Sequence, residues 1–181
     1  MPFYVQKGKI PPKRHTAFKD NDGNIYYEEL VSREGFSSIY SNYYHINRPT
    51  KIRQLGSMQE IKLNNSAKNH RHRHIVTSKI ENSGDLIKSR TPLFFNNEVT
   101  ISTSHISQSM DYFYRNGYGD ELLYIQYGTG KLHSNLGDLN CIEGDYIIIP
   151  RGIIWQLNPD KNIKILIIES KNPIETPSRY R

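Results

Sequence analysis

The sequence predicts an all-β fold: a double-stranded barrel of short strands with an N-terminal extended arm and few short helices. Three observations lead there. Between Tyr114 and Trp155 turn signals recur at Asn116-Gly117, Gly128-Thr129-Gly130, Gly137-Asp138 and Glu143-Gly144-Asp145, the spacing of a small barrel or sandwich. The longest apolar runs, Tyr146–Ile149 and Ile165–Ile168, are the length of strands and far too short to span a bilayer. No long amphipathic helix, heptad run, internal repeat or low-complexity tract interrupts this pattern.

The boundaries expected are an arm with accessory strands over 1–60, the barrel over 61–170 and a linker over 171–181. In the arm, Pro11-Pro12 bars helix and the basic Lys13-Arg14-His15 follows. Asn21-Asp22-Gly23-Asn24 is a turn between Phe18 and Ile25-Tyr26-Tyr27, so a hairpin is expected. Glu28-Glu29-Leu30, with Gly35 and Phe36 after it, reads as a short helical turn or loop. Alternating aromatics from Ser38 to Ile46 predict a strand with one face on a core. Pro49 ends it, and Thr50 to Leu55 reads as another short strand. Lys68 to Val76, bracketed by Asn64-Asn65-Ser66 and Asn82-Ser83-Gly84-Asp85, is expected as an exposed strand or loop. The strands that follow are Pro92–Phe95, Val99–Ser104, Asp111–Tyr114, Leu122–Tyr127, Tyr146–Ile149 and Ile163–Ile168. The last two are nearly continuous in apolar character and are expected to be buried on both faces. The tail, with Pro173 and Pro177 among polar residues, reads as an extended linker.

The 181 residues are enough for one domain with a real core. Charge is uneven: residues 1–90 hold 16 Lys and Arg against 8 Asp and Glu, and residues 91–181 hold 8 against 10. A basic half could attract nucleic acid through its field. The cations are scattered, however, and no aromatic lies between Leu63 and Lys88 to stack a base. Neither nucleic acid nor membrane is therefore expected as a partner. The lone Cys141 excludes an internal disulfide framework, and the N-terminus lacks the apolar stretch of a signal peptide. Both point to the cytoplasm.

Candidate sites follow from residue type and spacing. His70, His72 and His74 would share one face of a strand and could grip an ion. The interleaved Arg71 and Arg73 repel a cation, and no carboxylate or Cys lies nearby in sequence, so the cluster is read as an exposed polar pattern. His45 and His105 are isolated and read as structural. His15 belongs to the basic arm. Cys141 has no His or Lys neighbour in sequence to lower its pKa and reads as inert. No phosphate loop, GxGxxG, HExxH or GxSxG occurs.

The turn layout from Tyr114 to Trp155 resembles the cupin superfamily. In that family two histidines, a glutamate and a later glycine form a first motif. A glycine, a Pro-x-Gly turn and a third histidine form the second. Here Glu121 precedes Gly128, and Gly144 precedes Pro150-Arg151-Gly152, but Tyr114, Asn116 and Trp155 stand where histidines should. An indole offers an N–H and no lone pair, an amide oxygen suits iron, copper or zinc poorly, and a phenol with a pKa of about 10 stays protonated. Glu121 alone remains as a plausible ligand, so the barrel is expected to be filled by side chains. Glu121 then pairs with Arg115 or Arg151, or points to solvent beside Asp120. No catalytic or metal residue is assigned, and the substrate-binding residues stay unknown.

A closer resemblance runs from Lys9 to Arg181. The stretches KIPPKRHTAF, DGNIYYEEL, GFSSIYSNYYHINRPT, HRHRH, PLFFNNEV, MDYFYRNGYGDELLYIQYGTG, GDYIIIPRGIIWQL and PIETPSRYR together look like the N-terminal half of bacterial homogentisate 1,2-dioxygenase-type proteins. That resemblance implies an oxidoreductase of tyrosine and phenylalanine catabolism, opening the homogentisate ring at a non-haem Fe(II). Its iron ligands lie in a C-terminal catalytic domain, and its subunits form trimers and hexamers. It implies that this half holds no metal and is inactive alone. Two other readings stay open: a self-sufficient cupin binding a small aromatic acid, and a metalloenzyme built on His70–His74.

Overall fold

The computed structural model describes residues 17–32, 35–36, 40–58, 63, 72–81 and 83–180. Most of the arm, including Pro11-Pro12 and His15, lies outside these residues, as do Ser38-Ile39, His70 and Arg71. One compact unit falls within Gly8–Lys62 and a second is built from Leu63 onward.

In the smaller unit, the Asp20 carboxylate accepts the N–H groups of Asp22 and Asn24 and closes the expected turn, with Lys19 bridged to Ile25. Strand β1 (Tyr27–Ser32) then pairs antiparallel with β2 (Tyr40–His45), Glu28 opposite Tyr44 and Glu29 opposite Tyr43. Glu28-Glu29-Leu30 is thus strand, not a helical turn or loop. Cross-strand side-chain bonds are what hold it extended: Asn42 donates to Glu28 at 3.0 Å and His45 Nε2 lies 2.8 Å from Glu29. Thr50 to Leu55 is not a strand. The chain turns there, Lys51 N–H bonding the Arg48 carbonyl, and none of the described residues offers it a ladder partner.

The larger unit contains β3 (Thr91–Phe95), β4 (Val99–Ile106), β5 (Tyr114–Arg115), β6 (Asp120–Tyr127), β7 (Gly130–Ser134), β8 (Gly137–Cys141), β9 (Tyr146–Ile149), β10 (Ile154–Pro159) and β11 (Ile163–Ser170). Two 3-10 turns, Thr77–Lys79 and Ser178–Tyr180, are the helical elements among the described residues. One sheet has the order β3-β4-β11-β6-β9 and the other β5-β10-β7-β8, antiparallel throughout. The pairs β4–β11, β5–β10, β6–β9 and β7–β8 nest inside one another. This is one long hairpin, closed at β7–β8, rolled so that its strands alternate between two sheets. That is the double-stranded β-helix, or jelly roll, and the all-β expectation holds.

The core follows strand parity. Ile163, Ile165 and Ile167 of β11, Leu123 and Ile125 of β6, and Trp155 and Leu157 of β10 are all essentially fully buried. Each such side chain contributes roughly 1.5–3 kcal/mol of transfer free energy. The expectation that Tyr146–Ile149 is buried on both faces fails. β9 is an edge strand, Tyr146 and Ile148 are exposed, and its apolar character reflects a half-covered surface. β11 is central in its sheet, yet it too buries one face fully and the other only in part.

One close approach helps tie the strands into register. Gly128 adopts φ +90°, and a Cβ there would stand 2.6 Å from the Asn162 carbonyl oxygen. The tail does not leave the barrel at once. Lys171 N–H bonds the Glu98 carbonyl, and Ile174 N–H bonds Asp120 Oδ2 at 3.0 Å.

Candidate functional site

The inner faces of β6 and β11 each end in a glutamate. Glu121 continues the parity of Leu123 and Ile125, and Glu169 continues that of Ile163, Ile165 and Ile167. The two are direct partners across the ladder. Opposed residues of an antiparallel pair hold their Cβ atoms roughly 5 Å apart, and like charges so placed repel. A cation between them offsets that repulsion, and Arg90 supplies it. Its Nη1 lies 2.6 Å from Glu121 Oε1 and 3.6 Å from a Glu169 oxygen.

Arg90 is delivered by a rigid turn. The buried Asp85 carboxylate accepts the N–H groups of Ile87 and Lys88 and the Tyr112 hydroxyl, each at 3.0 Å. Burial works against the ionised form of Asp85, but these bonds and that of Lys88 Nζ outweigh it, so its pKa falls below the usual carboxylate value. Ser89 Oγ contacts Ser104 Oγ and the Asp85 carbonyl, and Leu86 is wholly buried beside it.

Beyond Arg90 the wall is aromatic. The guanidinium carbon sits 5.6 Å from the centre of the Tyr114 ring, which packs edge-on at 5.4 Å against Trp155, its ladder partner. Burial, and then the Glu121 charge, push the Tyr114 phenol up to about 12 against the opposing pull of Arg90. Burial, and then Glu121, also raise the Glu169 carboxyl. The Arg90–Glu121 contact is a charge pair off hydrogen-bond alignment. Arg90 Nε and Nη2, both Glu121 oxygens and Trp155 Nε1 have no hydrogen-bond partner in the protein among the described residues.

Of the predicted site residues, the barrel brings Tyr114, Glu121 and Trp155 together, and Asn116 joins them through a side-chain hydrogen bond to Glu169. Asn116 Oδ1 meanwhile accepts the N–H groups of Tyr118 and Gly119 in an Asx turn. The expected pairing of Glu121 with Arg115 or Arg151, or its exposure to solvent, is overturned: it is fully buried on Arg90. Arg151 pairs instead with Asp120, whose Oδ1 accepts the Arg151 backbone N–H at 3.0 Å and lies 3.6 Å from its guanidinium Nε. Strand parity is the reason, since neighbours 120 and 121 face opposite ways. Among the histidines, His72 and His74 are exposed and outside any strand, and His70 lies outside the described residues. His105 is buried and donates from Nδ1 to the Ile80 carbonyl at 2.6 Å, and His45 meets Glu29. Burial lifts the Cys141 thiol to about 11. Sequence reasoning missed Arg90 and Glu169. Glu169 was accessible through the parity of β11, whereas nothing local announces Arg90.

A metal does not fit this site. A guanidinium already stands 2.6 Å from the fully buried carboxylate, the phenol is held neutral, and Trp155 has no lone pair. Among the described residues no three His, Cys, Asp or Glu side chains are grouped to hold an ion. A second feature, an apolar groove of about 410 Å³, opens between β8 and β9 and is lined by Leu132, Leu136, Leu139, Ile148, Pro150 and Ile153 among others. It carries no charged side chain, so it has no partner for the carboxylate of an aromatic acid. No helix among the described residues is long and apolar enough to cross a membrane.

Comparison with known proteins places the chain beside a Saccharolobus solfataricus protein named "Putative dioxygenase": 38% identity over the whole of this chain and 47% of that protein. The chain thus spans about half the length of the curated relative it matches. Among solved structures, a cupin protein from Bacteroides fragilis matches 62% of this chain and 94% of its own, at 16% identity and a TM-score of 0.47. A cupin-2 domain protein from Shewanella frigidimarina matches 52% of this chain and 88% of its own, at 17% identity and a TM-score of 0.46. No protein-family profile matches. The fold class rests on the strand order itself.

Proposed function

We propose that this barrel is the metal-free structural half of a ring-cleaving dioxygenase resembling homogentisate 1,2-dioxygenase. Its role is to build the assembly around a catalytic half that carries Fe(II). The observation that carries the reading is Arg90: the pocket where a cupin would hold its metal is closed by an internal ion pair. The identity spread over the whole chain and about half of a dioxygenase-named relative supports the pairing with a second part. An assembly role is supported by the smaller unit, where Phe36, Ile46, Ile52, Leu55 and Met58 are 72–98% exposed. Apolar surface at that density marks a contact face rather than a solvated one, in line with homo-oligomers in a cytoplasmic enzyme of tyrosine and phenylalanine catabolism. The competing reading, a cupin binding an aromatic acid, requires a cation free to meet a carboxylate. In this barrel Arg90 is already shared by two.

The test is oxygen uptake with homogentisate, together with iron analysis, on this chain and on the full-length Saccharolobus relative. Iron far below one per chain and no uptake here, with uptake by the relative, supports the proposal. Oxygen consumption by this chain alone, or oxygen uptake with homogentisate by neither protein, overturns it.

A further inference from the structure

An open sheet leaves a row of unpaired N–H and C=O groups at each edge, and folded proteins blunt such edges with charge, proline, a bulge or brevity. Three of the four edges of the barrel's two sheets are blunted. β3 carries Pro92, and its ladder shifts register between Pro92 and Phe94. β5 is two residues long. β8 carries Asp138, half exposed and paired with Lys131 and His133. β9 has none of these devices. Tyr146-Ile147-Ile148-Ile149 is uncharged and free of proline, and it has no second ladder neighbour among the described residues. The surface on both sides of this edge is apolar. Outside, Tyr146 is 67% exposed and stacks on Tyr124 at 4.5 Å. The next row, Ile148–Leu122–Ile168–Ile101–Phe94, runs apolar across all five strands on the face away from the core. An antiparallel sheet that meets water on one face alternates apolar with polar, and this one does not. Inside, the apolar groove lined by Leu136, Leu139 and Ile147 opens at the same edge. A strand added beside β9 sends alternate side chains onto the outer row and into the groove.

We infer that the free edge of β9 pairs with β9 of a second copy of this chain, antiparallel about a two-fold axis, joining two five-stranded sheets into one of ten strands. Charge and pattern select that occupant. The chain carries a net charge of +6, so two copies repel wherever charged faces meet, and β9 is a neutral stretch on which they meet without that cost. Its ends have opposite sign, Asp145 before it and Arg151 after Pro150. Antiparallel pairing brings the acidic end of one strand to the basic end of the other, whereas parallel pairing sets like beside like. The strand that fits this edge must be apolar on both faces, and β9 is itself such a strand: Tyr146 and Ile148 face outward, Ile147 and Ile149 inward. A two-fold axis normal to the sheet preserves those faces. The partner subunit's Tyr146 and Ile148 then extend the outer row, and the partner subunit's Ile147 and Ile149 meet the groove. Four residues of ladder bury far less than the roughly 800 Å² per partner of a standard interface. The outer row and the groove lining therefore take part, and the dimer is expected in the micromolar range. The inference stands on the sheet edges and does not depend on the dioxygenase reading.

Sedimentation equilibrium and amide hydrogen exchange on the wild-type chain test this together. The expected result is self-association half complete at about 1–100 μM. Over the same range, the amides of residues 146–149 that β6 leaves free should slow about tenfold or more. Ile148→Lys, at a side chain 46% exposed, should weaken the association about tenfold or more and remove that slowing. Phe36→Lys, in the smaller unit and 89% exposed, should leave the slowing in place. A wild-type chain that is monomeric up to about 1 mM overturns the inference. So does an assembled chain whose β9 amides exchange as fast as those of the monomer. Protection of β9 that is lost in F36K and kept in I148K overturns it too, because the contact then runs through the smaller unit. If I148K does not fold, the exchange measurement on the wild type decides alone. Neither readout involves iron or oxygen, so this result and that of the dioxygenase test are independent.

Discussion

Replacing Arg90 by methionine removes one cation and strands two carboxylates, and the stability cost follows from that asymmetry. Breaking a buried pair by deleting one partner costs roughly 3–5 kcal/mol, because the survivor is left charged and unpaired. The Arg90 side chain is 16% exposed and Glu169 33%, so solvent screens part of the array and the low end, about 3 kcal/mol, applies. For a chain of this size that is a drop in melting temperature of about 6–12 °C. Glu121→Gln is milder. Arg90 already lies 3.6 Å from Glu169 and keeps that partner, so the cost is about 1–2 kcal/mol, the loss of one charge-assisted contact. Arg90→Met/Glu121→Leu replaces both members by apolar groups and should fall within about 1 kcal/mol of wild type. Urea denaturation of the four proteins measures these costs, and Trp155, the one tryptophan, reports them from beside the site. The reasoning is refuted if R90M costs no more than E121Q, or if the double variant is no more stable than R90M.

Three further outcomes are expected. Glu169 has a folded-state pKa raised above its ordinary 4.5 by burial and by Glu121. The folded chain therefore holds that proton more tightly, and the contribution is full below the unfolded value and lost as pH rises through the folded one. Glu169→Gln should remove this decline, so its urea midpoint falls less than that of wild type on going from acid to neutral pH. Gly128→Ala forces a Cβ to 2.6 Å from a carbonyl oxygen at φ +90° and should cost more than about 2 kcal/mol, whereas Gly144→Ala, at φ +93° with nothing within 4 Å, should cost only about 1 kcal/mol in the same melts. Cys141, with its thiol pushed up to about 11 by burial, should resist iodoacetamide at mildly alkaline pH in the native chain and react once urea unfolds it.

The barrel was legible because its turns are written in local chemistry. Gly128, Gly144 and Pro150-Arg151-Gly152 each sit at a turn the backbone needs, and the strands between them keep period-two apolar spacing. The misreadings came from elements whose state is fixed by a distant partner. Glu28-Glu29 looks like loop until Asn42 and His45 arrive from β2 to bond it. Thr50 to Leu55 has strand-like composition and no strand to pair with among the described residues. Tyr146–Ile149 is apolar enough for a buried strand, but its place in the sheet order makes it an edge. Composition reports what a segment tolerates, and topology decides how much of it is covered.

The site divides along the same line, and parity marks where the division falls. Once β6 and β11 are accepted as strands, Leu123 and Ile125 inward place Glu121 inward, and Ile163, Ile165 and Ile167 inward place Glu169 inward. Two inward carboxylates at matching ends of adjacent strands cannot both ionise without a positive charge between them. A neutralising partner, a cation or a bound proton, was therefore deducible from sequence. Its identity was not, because a metal ion and a guanidinium satisfy the same electrostatic demand. Choosing between them needs to know which chain segment passes the open end of the β6–β11 pair. The answer is the turn at Asp85–Ser89, held by hydrogen bonds to Tyr112 and Ser104 that no spacing in the sequence announces. The absence of histidines at Tyr114, Asn116 and Trp155 and the presence of Arg90 are thus two sides of one electrostatic solution: with the positive charge supplied covalently, the wall opposite Glu121 is free to be aromatic.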